Sequence, residues 1–149
     1  MFRVISEDRY ARWCEARLLD IASASFQIET CYYGRGLRTR PGALLVFSET
    51  ITHYSYSGAD TLWAFGEPSI RVDIAVSEIS DIRREPLPSL WKMMFFGADD
   101  PFVVKMVDDK GHFLVLQRGS DAFERAVSAA ICNQGYGFQT YPAQQKREF

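Results

Sequence analysis

The sequence predicts a mainly β fold of the α+β class: an antiparallel barrel or sandwich of about seven strands with a C-terminal capping helix and an additional N-terminal helix. Three observations carry this. Apolar residues recur with a period of two in successive short segments between residues 26 and 118, the spacing of a strand with one buried face. Aromatic residues make up 14% of the chain, with 11 Phe and 7 Tyr, and such side chains suit a pleated, half-buried surface. Helical spacing dominates only near the two ends.

The first element is expected at residues 7–23. Ser6 precedes Glu7 and Asp8, a capping hydroxyl followed by acids that suit the positive end of a helix dipole. Tyr10, Trp13, Cys14, Leu18 and Ile21 then recur at helical spacing. From Phe26 the period changes: Phe26, Ile28, Thr30 and Tyr32 alternate with Gln27, Glu29, Cys31 and Tyr33. A glycine-bounded loop, residues 34–42, leads to two strands, ALLVF and ITHYSYS, joined through Ser48, Glu49 and Thr50. Leu62, Trp63 and Phe65 suggest a further strand before Gly66 and Pro68 break it.

Ile70, Val72, Ile74 and Val76 form the cleanest alternation in the chain, and residues 78–85 continue it until Pro86 and Pro88. Residues 90–96, LWKMMFF, fit either a strand or an exposed apolar loop. Residues 102–108 and 112–118 read as a hairpin with Gly111 available for positive φ. A last helix is expected at about 121–132, its apolar face made of Phe123, Ala126, Val127, Ala130 and Ile131, with Asn133 and Gly135 ending it. The expectation is one domain over residues 1–135 followed by a flexible tail, 136–149.

Three segments resemble the pleckstrin-homology-like superfamily, particularly its GRAM and bacterial PH members. GALLVFSETITHYS (42–55) is similar to their opening strands, IAVSEISDIRRE (74–85) to a later strand, and residues 102–133 to their hairpin-to-helix ending. From the first to the last they bracket residues 42–133, roughly two thirds of the chain. The N-terminal helix is an addition to that pattern, and Phe123 or Val127 stands where eukaryotic members carry a Trp. The resemblance implies a binding module, not an enzyme, whose fold serves lipid, peptide and protein recognition alike.

A phosphate-binding member has basic residues spaced by one at its first hairpin loop, and Arg38, Thr39 and Arg40 after Arg35 match that spacing. In extended chain Arg38 and Arg40 point to one side, so two guanidinium forks can share an anion. Arg35, Arg38 and Arg40 are therefore the candidate anion site. The competing reading is a solvated loop paired with Glu29 or Glu49. Trp91, Met93 and Phe95 are the candidate partner or membrane surface if 90–96 is a loop, and core if it is a strand. Arg83 and Arg84 read as ordinary surface.

Chemistry-bearing motifs are sparse. His53 and His112, the two histidines, each sit in an expected strand; a Cys31–His53 pair on neighbouring strands is the least favoured site. No nucleophile-elbow serine, HExxH or P-loop occurs. Cys14, Cys31 and Cys132 are odd in number and far apart, which argues against a disulfide framework or zinc site and for a reducing, cytoplasmic setting. No cofactor or metal is expected. The formal net charge of −2 gives no global attraction to nucleic acid. Apolar runs such as ALLVF and MMFF are too short to span a bilayer. The expected partner is an unknown protein or an anionic lipid headgroup, with homo-oligomerisation left open. Two alternatives are a small barrel carrying an apolar ligand, among aromatics such as Tyr32, Tyr54, Tyr56, Trp63 and Phe113, and a Cys/His-dependent enzyme.

Overall fold

A computed structural model describes residues 5–33, 39–85, 102–108, 110–116 and 119–145. Among these, helix α1 (Glu7–Ala16) precedes seven strands: β1 (Phe26–Tyr33), β2 (Thr39–Val46), β3 (Thr50–Ser55), β4 (Arg71–Ala75), β5 (Ile79–Arg84), β6 (Phe102–Met106) and β7 (Gly111–Val115). Helix α2 (Ser120–Gln145) follows. No helix among the described residues is long and apolar enough to cross a membrane.

The strands form one sheet in the order β4-β3-β2-β1-β7-β6-β5, with every neighbouring pair antiparallel. The two edge strands, β4 and β5, are consecutive in the chain and joined only by a 3-10 turn at Val76–Glu78. Laid flat, seven strands would be about 29 Å across. The step from Ala75 to Ile79 spans at most about 14 Å, so the sheet must curl until its edges approach. Backbone bonds fasten this corner: the Val76 N–H donates to the Glu49 carbonyl at 2.9 Å, and the Val107 N–H to the Glu78 carbonyl at 2.8 Å.

Register decides which residues share a face, since side chains alternate. Ile28 pairs with Leu44, which pairs with His53, and Tyr32 pairs with Leu114, which pairs with Phe102. This inner face carries the larger core, including Leu44, Ile51, Phe102, Val104 and Leu114. Helix α2 covers it with Phe123 and Val127, both 0% exposed. The Phe123 ring lies 5.1 Å from Phe102 and 5.8 Å from Phe26, centroid to centroid. Arg84 ties β5 to the start of α2, reaching Asp121 at 2.8 Å and Glu124 at 3.1 Å. The Arg83–Arg84 pair is thus partnered surface, Arg83 bonding Glu85 at 3.0 Å.

The outer face holds a second core of Ala43, Leu45 and Tyr56 under Trp13 and Cys14 of α1. Trp13 meets Tyr56 edge-on at 4.7 Å and Tyr54 at 5.5 Å. The Ser6 hydroxyl accepts from the Arg9 N–H at 3.4 Å, the expected cap.

Four expectations need correction. The helix expected over 7–23 stops at Ala16 because Leu18 adopts φ 55. The Leu19 N–H then reaches back to the Cys14 carbonyl at 3.0 Å, a Schellman-type end with Leu in the place usually held by glycine. Residues 62–64 form a 3-10 turn, not a strand, leaving Leu62 and Phe65 87% and 90% exposed. Gly111 opens β7 opposite Lys105 and is not among the positive-φ glycines. Finally, α2 continues past Asn133 and Gly135 to Gln145; a helical glycine costs only about 1 kcal/mol, which a helix anchored by Phe123 and Val127 absorbs.

Candidate functional site

Arg40 is the member of the arginine trio that the structure places; Arg35 and Arg38 lie outside the described residues, as do Trp91, Met93 and Phe95. Arg40 belongs to β2 and pairs with Tyr32 of β1, so the basic segment is already strand where it meets the domain. Arg40 is half-buried and in no ion pair with a described residue. Its charge acts on both Tyr32 and His53.

Tyr32 is the centre of this end of the inner face. Its ring stacks on His53 at 5.5 Å with 29° between planes. Its hydroxyl bonds His112 Nδ1 at 3.0 Å, with the two rings 5.9 Å apart. Three strands therefore converge: β1 supplies Tyr32, β3 His53 and β7 His112. The His53 Nε2 lies 3.2 Å from the Thr30 carbonyl. A carbonyl only accepts, so Nε2 carries the proton and Nδ1 is left as a bare acceptor. Both His53 Nδ1 and the Thr30 hydroxyl are buried without a partner among the described residues.

Burial governs the ionisation of these groups. It lowers His53 from its ordinary value to about 4; the Thr30 carbonyl opposes this and Arg40 adds to it. His112 is also lowered, first by burial, with Asp108 opposing and Lys110 assisting. The Tyr32 phenol is raised by burial against the pull of Arg40. Near neutral pH the three rings are uncharged, and the Arg40 guanidinium is the charge that Tyr32 and His53 sit beside.

The Cys31–His53 pairing is corrected by the topology. β2 lies between β1 and β3, and Cys31 alternates with Thr30 and Tyr32 and so faces the outer side. Its thiol is pushed up to about 12, chiefly by burial and further by Glu29, which removes thiolate character. The histidines bond a carbonyl and a phenol, not a thiol or carboxylate. Among the described residues no group of three His, Cys, Asp or Glu side chains is placed to hold a metal. The arrangement suits hydrogen bonding and charge recognition better than nucleophilic chemistry. Reading the sequence misses the Tyr32–His112 bond because the partners are 80 residues apart and meet only through β1–β7 pairing, a closure that leaves no local signal.

No protein-family model matches the chain, and no curated protein matches it by sequence. Among solved structures, the chain is similar to the C-terminal domain of an unknown protein from Leishmania infantum. The TM-score is 0.55 at 18% identity, covering 82% of this chain and 96% of that one. At that identity the likeness concerns the fold alone.

Proposed function

We propose that this domain is a non-catalytic binding module of the pleckstrin-homology-like kind that takes an anionic group at the β1–β2 end of its inner face. The observation that carries this reading is Arg40: a half-buried guanidinium with no carboxylate partner among the described residues, set beside uncharged Tyr32 and His53. A guanidinium fork in such surroundings favours a phosphate or carboxylate over water. The basic loop sequence Gly34-Arg35-Gly36 precedes it in the chain. The carrier reading is less well supported, because Phe102, Leu114, Phe123 and Val127 fill the inner face at 0–1% exposure. An enzyme reading lacks its nucleophile, since Cys31 lies on the outer face.

The test is co-sedimentation with phosphoinositide-containing vesicles for the wild type and for Arg40→Ala. The expected outcome is salt-sensitive binding that Arg40→Ala weakens without altering the melting temperature. Wild-type protein that stays in the supernatant at low salt, or binding that is indifferent to Arg40→Ala, overturns the reading for this headgroup class.

A further inference from the structure

On the outer face, α1 and the excursion between β3 and β4 flank an open cleft of about 470 Å³. Its walls include Arg9, Arg12 and Arg17, together with Trp13 and Asp60. Positions 9, 12, 13 and 16 fall on one face of a helix, so the same turn that buries Trp13 against the sheet brings two arginines to the cleft. Its volume lies within the range of about 300–1,000 Å³ usual for ligand sites.

Three guanidiniums here meet one carboxylate, and that carboxylate is already engaged. Asp60 accepts from the Ser57 N–H and the Ser57 hydroxyl, each at 2.7 Å. Arg17 approaches its two oxygens only to 3.4 Å. Burial would raise the Asp60 carboxyl, but the Ser57 bonds and then Trp13 and Arg17 hold it below its ordinary value. Arg9 donates to the Asp60 carbonyl and Arg12 to that of Asp8, contacts that position the side chains, and neither forms an ion pair with a carboxylate among the described residues.

The segments that form these walls also hold three large apolar side chains in solvent. Leu18, next to Arg17, is 91% exposed; Leu62 and Phe65, on the Asp60 excursion, are 87% and 90% exposed. Leu18 and Phe65 do so from left-handed backbone, φ 55 and 41, a conformation costing a non-glycine residue about 1–2 kcal/mol. A hydrogen bond from the Gly58 N–H to the Glu67 carbonyl at 2.8 Å closes the base of the excursion, so Leu62 and Phe65 are presented by a hydrogen-bonded turn.

The geometry points to a docking cleft for an acidic segment of a partner protein, its carboxylates entering among Arg9, Arg12 and Arg17 and its flanking apolar residues resting on Leu18, Leu62 and Phe65. Arginine and aromatic residues are the types that interface centres concentrate. Charge distribution favours a narrow occupant over a membrane. The exposed Glu7, Asp8, Glu15 and Asp20 alternate along the chain with the three arginines, so a broad anionic surface lying on this segment would meet four acids against three bases. A single peptide segment can instead enter the cleft itself, whose lining holds Arg9, Arg12 and Arg17 and one carboxylate, Asp60. This site is separate from Arg40.

The test is selection from a random peptide display library against the full chain, then fluorescence polarisation of the enriched peptides. The expected result is enrichment of Asp or Glu flanked by Leu or Phe, with binding that weakens as salt rises. Arg12→Glu and Leu62→Ser/Phe65→Ser should each weaken binding at least about tenfold at unchanged melting temperature, while Arg40→Ala leaves it intact. No enrichment, enriched peptides without acidic residues, or affinity unmoved by Arg12→Glu overturns the inference. So does co-sedimentation with phosphatidylcholine/phosphatidylserine vesicles that is lost in Arg12→Glu, which would assign the surface to a bilayer.

Discussion

His53 offers the most quantitative check on the packing of the inner face. It is 1% exposed and its folded value lies at about 4 against an ordinary 6.5. Because the folded value is depressed, the unfolded chain takes up the proton first as pH falls. The native state is therefore favoured in full above about pH 6.5, and that stability drains away as pH drops toward 4. That difference corresponds to roughly 3 kcal/mol, most of which should be gone by pH 4.5. His53→Leu removes the titrating group while keeping an apolar side chain on the face shared with Leu44. Urea unfolding at pH 7.5 and pH 4.5, for wild type and variant, isolates the contribution, because the remaining acid-sensitive groups are common to both. The variant should lose roughly 2–3 kcal/mol less than wild type over that interval. Parallel losses would mean that His53 is solvated or charged in the native state, and the account of the Tyr32 end would fail.

Other perturbations test other parts of the structure. Arg40→Gln removes a positive charge that depresses His53, so the His53 ring signals in NMR should titrate at higher pH than in wild type. Phe123→Asp places a carboxylate at a position with 0% exposure against Phe26 and Phe102, and should destabilise by about 4 kcal/mol or more; an unchanged melting temperature would show that α2 does not cap the sheet. Gly42→Ala would set a Cβ 2.1 Å from the Tyr54 carbonyl oxygen and 2.7 Å from the Ser55 Cα, backbone atoms that cannot step aside, so thermal unfolding should reveal a loss of about 2 kcal/mol or more. With iodoacetamide at pH 7.5 the exposed Cys132 should be alkylated first, and Cys14 and Cys31, whose thiols burial pushes up, should react only on unfolding.

Much of the architecture is legible in the sequence because its strands have one buried face each. The alternation from Phe26 to Tyr32 and from Ile70 to Val76, and the hairpin across residues 102–118, express inner and outer faces directly. Phe123 and Val127 likewise mark the face of the last helix. What is not legible depends on backbone conformation or on distant pairing. Leu18 continues the helical period of Tyr10, Trp13 and Cys14, yet it turns left-handed and points to solvent. Leu62 and Phe65 have strand-like residue types but no alternating partner strand, and they end on a turn. The arginines of α1 read as the solvated side of an amphipathic helix until Asp60, more than 40 residues later, forms the opposite wall of their cleft. For Arg40, the spacing of charges in the loop was visible; the company of Tyr32, His53 and His112 required the pairing of β1 with both β2 and β7.

The central claim is that an anion docks where Arg40 meets Tyr32. It is tested most directly by titrating inositol hexakisphosphate into isotopically labelled protein and following the Tyr32, Arg40, His53 and His112 signals by NMR. The account predicts saturable shifts concentrated on these residues, a rise in the His53 pKa as the anion offsets Arg40, and loss of both in Arg40→Ala. Shifts absent from this group, or confined to Arg9 and Arg12 of α1 and the adjoining Arg17, would contradict it.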